Sequence, residues 1–219
     1  MRLLKYRVIV FDFDGVLVES ADIKTKAYAE LYKEYGPEVV EKVVQYDQRY
    51  GGISRFEKIR YCHREFLGRD PSHDEEVSLW ERFSELVEKA VEQAPWVPGA
   101  DRFLNRYYRV THFYIASGTP EDELSRIISG RHLSHYFKGV YGAPKKKGEI
   151  IGSILSESEV RSDEMVMIGD SITDYEGAMR AGIDFIGREH REAVFPKEVM
   201  RIKDFNDSLA IQMALFYEG

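Results

Sequence analysis

Carboxylates that follow two hydrophobic runs are the side chains best suited to do chemistry in this sequence. Asp12 and Asp14 come directly after the run Val8–Phe11, and Asp170 and Asp174 follow a second run. Clustered carboxylates repel one another and raise one another's pKa unless they share a cation or a proton. Mg²⁺ relieves such repulsion because it takes oxygen ligands, and it keeps waters for substrate phosphate. The pattern therefore indicates a hard divalent cation in a site for phosphate chemistry.

A hydroxyl and a run of lysines accompany these carboxylates. Ser117 closes the β-branched run Val110–Ala116, and Lys145–Lys147 follow the short run Gly139–Tyr141. Ligands of open parallel sheets bind at the carboxyl ends of the strands, so these groups are expected on one rim. Taken alone, Ser117 is typical of a turn and the lysines of a solvated surface. The combination with the carboxylates favours catalysis.

The elements that must position these groups alternate between strands and helices. Apolar and β-branched runs predict strands at Val8–Phe11, Val110–Ala116, Gly139–Tyr141, Met165–Ile168 and, more weakly, Ile183–Ile186. Helical patterns lie between the later strands, at Glu121–Ser129, Glu149–Leu155 and Ile172–Ala181. Such alternation indicates βαβ units and a mainly parallel sheet, so the predicted fold class is α/β.

One region interrupts this alternation. Between Ala21 and Gln93 no strand is predicted, and amphipathic helical stretches follow one another at Ile23–Tyr35, Pro37–Tyr46, Ser54–Leu67 and Glu75–Val91. A block of roughly 70 residues is far longer than a normal crossover, so we interpret it as a cap. The predicted domains are a core of residues 1–18 and 94–219 and a cap of residues 19–93. A last helical stretch, Ser208–Tyr217, is expected to pack on the core.

Composition excludes several classes of protein. The 219 residues include 31 basic and 38 acidic side chains, and the formal charge of −7 argues against nucleic acids and anionic membranes as partners. The apolar runs are far shorter than the ~18 residues of a membrane span, and we expect no secretory signal at Met1–Tyr6. The single cysteine, Cys62, excludes an intramolecular disulfide and fits a reducing compartment. We therefore expect a cytoplasmic protein.

The motifs resemble those of the haloacid dehalogenase (HAD) superfamily. Asp12–Val16, written DFDGV, resembles the first motif, Ser117 the second, the lysine run the third, and Ile168–Asp174, written IGDSITD, the fourth. The helical insertion lies where the family has its type 1 cap, over a Rossmann-like core. The chain is most similar to the phosphoglycolate-phosphatase-like and β-phosphoglucomutase-like subgroup.

The resemblance implies a Mg²⁺-dependent phosphatase that acts on a small phosphorylated metabolite, such as phosphoglycolate or a sugar phosphate. Asp12 would be the nucleophile that forms an aspartyl-phosphate, and Asp14 would protonate the leaving oxygen and then activate water. Mg²⁺ would be held by Asp12, the Asp14 backbone carbonyl, Asp170 and Asp174. Ser117 and a lysine would stabilise charge on the phosphoryl oxygens. Asp14 also favours phosphate chemistry over dehalogenation, because a halide leaves without a proton.

The identity of the lysine and of the substrate-binding groups stays open at this point. Lys147 matches one form of the third motif and is favoured, while Lys145 matches another form and Lys146 lies between them. Backbone N–H groups near Gly15 and Gly118 are candidate phosphate donors, because glycine lets the backbone approach closely. The turn at residues 51–55 between two cap helices could bring Arg55 to the leaving group, or could leave it in solvent.

Two further functions are kept as alternatives. A phosphomutase of the same family would retain the phosphorylated intermediate, and the identity of its product would separate it from a phosphatase. A phospho-acceptor signalling module, similar to a response-regulator receiver, also gathers carboxylates, a hydroxyl and a lysine on an α/β rim. Receivers need no cap, which disfavours this alternative. The sequence specifies neither the natural substrate nor the oligomeric state.

Overall fold

A parallel β-sheet forms the centre of the fold in this computed structural model, which describes residues 5–189 and 195–216. Within those residues the strand order is β3-β2-β1-β4-β5-β6, and every neighbouring pair is parallel. This is the order of a doubly wound Rossmann-like sheet, so the predicted α/β fold class is confirmed. The strands are β1 Val8–Phe11, β2 His112–Pro120, β3 Phe137–Ala143, β4 Met165–Gly169, β5 Asp184–Arg188 and β6 Met200–Ile202.

The five predicted strands are all present, with ends that differ by a few residues. Strand β2 begins at His112 rather than Val110 and continues past Ser117, because Pro120 still pairs with Ala143 of β3. Strand β6 was not predicted. It has only three residues, with an arginine in the middle, which is too short to show a periodic pattern.

Helices lie on both faces of the sheet. They are α1 Ala21–Leu31, α2 Pro37–Arg49, α3 Arg55–Leu67, α4 His73–Glu92, α5 Ala100–Tyr107, α6 Glu121–Gly130, α7 Lys147–Glu157, α8 Ile172–Ala181 and α9 Ser208–Leu215. Short 3₁₀ turns occur at Lys33–Tyr35, Ser134–Tyr136 and Ser162–Glu164. In the part of the chain that the structure describes, no helix combines the length and the apolar character needed to cross a membrane.

The side chains of β1 alternate between two apolar cores. Ile9 and Phe11 belong to a core that includes residues of α5, α6 and the helices α1–α4. Val8 and Val10 belong to a second core with residues of α7 and α8. Because a strand exposes successive side chains to opposite faces, β1 is buried on both sides. Its position is therefore held firmly, together with that of the residues that follow it.

The helices α1–α4 lie between β1 and α5, where the sequence predicts a cap. They pack against one another, and α4 also packs against α6. Local signals set some of their ends: a capping box of Ser72 and Glu75 begins α4, and Gly68 ends α3 in the left-handed conformation with φ 70°. The division into a core of residues 1–18 and 94–219 and a cap of residues 19–93 stays a prediction.

Three neighbouring parallel strands run toward the same edge of the sheet, where β1 and β4 end and β2 continues to Pro120. In the register of the ladders Phe11 lies beside Ile115 of β2 on one side and Ile168 of β4 on the other. The residues just beyond these positions are Asp12, Ser117 and Asp170. The parallel sheet thus brings together motifs that are more than a hundred residues apart in the sequence.

Candidate active site

Six polar side chains meet at the edge of the sheet where β1 and β4 end and where β2 passes Ser117. We call this group the strand-end site; it consists of Asp12, Asp14, Ser117, Lys147, Asp170 and Asp174. Asp12 is buried, with 4% of its surface exposed, and its Oδ2 atom lies 3.0 Å from Lys147 Nζ. The same ammonium group lies 2.5 Å from Asp174 Oδ1. Lys147 therefore bridges the first and fourth motifs.

The structure distinguishes among the three consecutive lysines. Lys147 is the first residue of α7, and its side chain is buried against the strand-end site. Lys145 and Lys146 are exposed, and Lys146 lies 3.8 Å from Glu57 on the surface of α3. Helix α7 begins at Lys147 and directs this side chain toward Asp12 and Asp174, whereas Lys145 and Lys146 precede the helix and stay at the surface.

An oxygen-only metal site can form among three of the aspartates. Asp12, Asp170 and Asp174 each offer a carboxylate oxygen, and these oxygens lie within 4.8 Å of one another. Hard oxygen ligands suit Mg²⁺ better than the softer transition metals. The Lys147 ammonium group already contributes one positive charge there, yet the carboxylates outnumber it. The donor set therefore fits a divalent cation.

Asp14 lies in a different setting, turned toward α1. Its Oδ1 atom accepts a hydrogen bond from Ser20 Oγ at 2.7 Å, and Oδ2 lies 2.5 Å from Lys24 Nζ and 3.0 Å from Thr119 Oγ1. Lys24 also donates to Thr119 at 2.7 Å. The sequence analysis missed Lys24 and Thr119. Ser20 occupies the N-cap position of α1, but its hydroxyl serves Asp14 rather than the helix.

The two settings move the pKa values of the two aspartates in opposite directions. Burial raises the pKa of Asp12, and the negative charges of Asp174 and Asp14 add to this, although Lys147 opposes it. Burial also acts to raise the pKa of Asp14, but Lys24 and the hydroxyl donors outweigh it and lower that pKa overall. A cation at Asp12 would favour its ionised form, because opposite charges stabilise each other.

Ser117 and Gly118 lie where the helical insertion touches the sheet edge. Ser117 is 1% exposed, and its Oγ atom accepts a hydrogen bond from the Thr119 N–H at 3.1 Å. A Cβ atom on Gly118 would come within 2.8 Å of the Gly52 carbonyl oxygen, and one on Gly52 within 2.0 Å of Thr173 Oγ1. Only glycine allows such an approach of the two backbones. The turn at residues 51–55 thus reaches the strand-end site.

Gly15 does not take the place that the sequence analysis assigns to it. It adopts the left-handed conformation with φ 75°, and its N–H donates to the Val18 carbonyl at 2.8 Å. Its own carbonyl accepts from Arg188 Nη1 at 2.7 Å. Because the N–H group closes a turn, this arrangement does not offer it to a phosphate.

Arg55 is buried rather than solvated. It is 4% exposed, and its guanidinium donates to both carboxylate oxygens of Glu123 in α6, at 2.6 and 2.8 Å. It also donates to Ser84 Oγ and lies over the Phe83 ring at 4.6 Å. The sequence analysis left open whether Arg55 reaches the site or lies in solvent, and it did not identify Glu123, which lies 68 positions away.

A cavity of about 50 Å³ separates the strand-end site from the helical insertion. Asp12, Asp14 and Ser117 line one side. The opposite side, which we call the helical wall, is formed by Tyr28, Asp47, Arg55, Lys58 and Phe83. Asp47 and Lys58 form a buried ion pair that the sequence analysis did not identify.

Known proteins share this arrangement of elements. The sequence profile of the family described as haloacid dehalogenase-like hydrolase matches residues 9–188. A relative from Thermotoga maritima, named phosphorylated carbohydrates phosphatase, is 24% identical over 183 residues, which cover 81% of this chain and 82% of the relative.

Solved structures resemble the fold as well. The structure of β-phosphoglucomutase from Clostridium difficile matches with a TM-score of 0.75 at 19% identity and covers 92% of each chain. The HAD hydrolase YfnB from Bacillus subtilis, bound to magnesium, matches with a TM-score of 0.71 at 16% identity, over 94% of this chain and 98% of that chain. The predicted family, fold class and enzymatic nature are confirmed, since the profile spans both parts of the sheet and the helices between them. The chain belongs to the haloacid dehalogenase-like hydrolases.

Proposed function

We propose that the protein is a Mg²⁺-dependent phosphatase that hydrolyses phosphate monoesters of small carbohydrates through an aspartyl-phosphate intermediate. One observation carries this proposal: Asp12, Lys147 and Ser117 converge at one edge of the sheet, beside a cavity that the helical wall also lines. A nucleophile, a cation and a hydroxyl donor held together in this way are what phosphoryl transfer requires.

The chain's own residues divide the work of the two steps. An oxygen of Asp12 attacks phosphorus, and the new O–P bond forms as the bond to the leaving oxygen breaks. Asp14 is ionised in the resting site because Lys24 lowers its pKa, so it takes up a proton when the substrate binds and gives it to that oxygen. It later takes a proton from the water that hydrolyses the aspartyl-phosphate. Lys24 and Thr119 hold the Asp14 carboxylate, and Lys147 and Ser117 stabilise negative charge on the phosphoryl oxygens.

The metal would be held by Asp12, Asp170 and Asp174, whose oxygens lie close enough to share it. When bound, it supplies positive charge that offsets both the carboxylates and the phosphoryl oxygens. The comparisons support this proposal without extending it: the Thermotoga relative is named for phosphorylated carbohydrates, and the Bacillus structure contains magnesium. The single free cysteine, Cys62, supports a reducing, cytoplasmic location.

The proposal is tested with p-nitrophenyl phosphate as a generic substrate. We expect hydrolysis in Mg²⁺, loss of activity in EDTA and its return when Mg²⁺ is restored. Asp12→Asn should abolish turnover, whereas Asp163→Asn, an exposed aspartate paired with Arg161, should leave it unchanged. Full activity of Asp12→Asn would contradict the nucleophile assignment.

The generic substrate and a hexose 1-phosphate together separate the alternative functions. A phospho-acceptor module would release about one equivalent of p-nitrophenol and then stop. A phosphomutase would convert a hexose 1-phosphate into an isomer instead of releasing inorganic phosphate. Sustained release of phosphate from the generic substrate supports the phosphatase.

A further inference from the structure

The helical wall carries several charged groups, but each of its cations is paired with a carboxylate. Arg55 pairs with Glu123, and Lys58 pairs with Asp47. All four side chains are 5% exposed or less. Lys24, at the border with the strand-end site, is paired with Asp14 in the same way. The side of the cavity that faces a leaving group is therefore electrically balanced.

The Arg55–Glu123 pair is held on several sides. Both oxygens of Glu123 accept from the guanidinium, and Ser84 Oγ donates to Glu123 at 2.8 Å. The guanidinium has five N–H groups, and three of them are used for Glu123 and Ser84. The remaining two N–H groups can still donate hydrogen bonds, while Glu123 balances the positive charge of the guanidinium. Arg55 can thus donate to a neutral oxygen beside the cavity.

The Asp47–Lys58 pair is built in a similar way. Asp47 Oδ2 accepts from Thr25 Oγ1 at 2.7 Å, and Lys58 Nζ lies 4.8 Å from the centre of the Tyr28 ring. Asp47 can accept further hydrogen bonds on its remaining lone pairs, and Lys58 has a further N–H to donate. The pair offers both an acceptor and a donor to a group in the cavity. A hydroxyl, which donates and accepts, matches this combination.

A second anionic group on the substrate would meet an unfavourable environment here. It would lie beside the Asp47 carboxylate, which lines the cavity, and the cations Arg55 and Lys58 are already neutralised by Glu123 and Asp47. To bind Arg55 or Lys58 directly, it would have to displace a buried carboxylate and leave that charge uncompensated. The like-charge contact and the lost pair both weaken binding.

We propose that the helical wall is a leaving-group subsite for an uncharged, hydroxyl-bearing group, so that the enzyme selects monophosphates of small polyols over substrates with a carboxylate or a second phosphate. The inference rests on the proposed phosphatase function and narrows its substrate class. It disfavours phosphoglycolate, which carries a carboxylate, as the natural substrate.

The test uses pairs of substrates that differ only in one group. 2-Hydroxyethyl phosphate has a hydroxymethyl group where phosphoglycolate has a carboxylate. Sorbitol 6-phosphate and 6-phosphogluconate make the same comparison on a longer chain. For each substrate, kcat/KM is measured from phosphate release in Mg²⁺. We expect the neutral member to be preferred by about tenfold or more in at least one pair.

Two variants remove the carboxylates that balance the wall. Glu123→Gln leaves Arg55 without its counter-charge, and Asp47→Asn does the same for Lys58. Each should shift the ratio of kcat/KM values toward the anionic member by about tenfold. Glu88→Gln is the control, because Glu88 of α4 pairs with Arg126 of α6, the helix that also carries Glu123, and this pair lies outside the cavity lining. It should leave the ratio unchanged.

The outcomes separate this inference from the function on which it rests. A wild-type preference for the carboxylate in both pairs overturns the subsite. Hydrolysis of p-nitrophenyl phosphate with no hydrolysis of either polyol phosphate also overturns it. If Glu123→Gln and Asp47→Asn both fold and neither changes the ratio of kcat/KM values, the subsite is also overturned. If neither variant folds, the ratios of the wild-type protein decide. Inactivity on every phosphate ester overturns the proposed function, and the subsite with it.

Discussion

The strand-end site and the helical wall face each other across one cavity, yet they handle charge in opposite ways. At the strand-end site, Asp12 and Asp174 share Lys147 while Asp14 pairs with Lys24, so three carboxylates face two cations and negative charge is in excess. On the helical wall, each cation has its own carboxylate. Both sides bury charged groups, but only the first leaves them unbalanced.

The difference shows what each side is suited to bind. An excess of carboxylates is costly to bury without a cation, so the strand-end site is suited to bind an added positive ion. A balanced pair needs no added ion and contributes hydrogen bonds of defined direction. The strand-end site is therefore suited to the transfer of a charged phosphoryl group, and the helical wall to the selection of a neutral leaving group.

Breaking a balanced pair should have the largest effect on stability. Lys58→Met leaves the Asp47 carboxylate buried without its cation, and we expect a loss of about 3–5 kcal/mol in the free energy of unfolding. Arg64→Met, on the same helix, removes the exposed Arg64–Asp70 pair and should cost less than about 1 kcal/mol. Urea denaturation of both variants measures the difference. Equal losses would show that Asp47 does not need Lys58.

Removing a cation from the unbalanced side should act on catalysis instead. Lys147→Met takes away the ammonium group that contacts Asp12 and Asp174, and kcat should fall by roughly 10²–10³, with Mg²⁺ held saturating. Lys145→Met is the control, because Lys145 is exposed two residues away. Steady-state kinetics on p-nitrophenyl phosphate compare them. An equal loss in both variants contradicts the assignment of Lys147 to the site.

The smallest expected effect concerns a buried histidine behind the helical wall. Burial lowers the pKa of His63, so the folded protein favours its neutral form. Below a pH of about 6.5, a histidine in the unfolded chain takes up a proton more readily, and folding stability falls as the pH decreases. His63→Gln should therefore flatten the dependence of Tm on pH between about 7 and 5.

The control for this measurement is His73→Gln, since His73 is exposed at the start of α4. It should keep the wild-type slope of Tm against pH. His63 Nδ1 lies 2.9 Å from Tyr32 Oη, which glutamine can also contact, so the variant is expected to fold. If the slopes of His63→Gln and the wild type coincide, another group controls the acid stability of this region.

Much of the strand-end site was predictable because its residues follow directly from local patterns. Asp12 and Asp170 each come just after an apolar run, and a parallel sheet gathers such positions at one edge. Helix α8 was predicted with its observed bounds, since Gly182 ends it in the left-handed conformation. Helix α5 and strand β6 were missed, because they have only eight and three residues, too few for a clear periodic pattern.

The sequence by itself determined the family, the α/β fold class and the place of the helical insertion, because these depend on residue types at fixed distances along the chain. Only the tertiary structure decided which polar side chains meet: Arg55 with Glu123, 68 positions apart, and Lys24 with Thr119, 95 positions apart. It also turned the Gly15 N–H inward to Val18. The physical reason is that contacts between side chains of different helices depend on how the helices pack, and the periodic pattern of a single helix does not specify its neighbours.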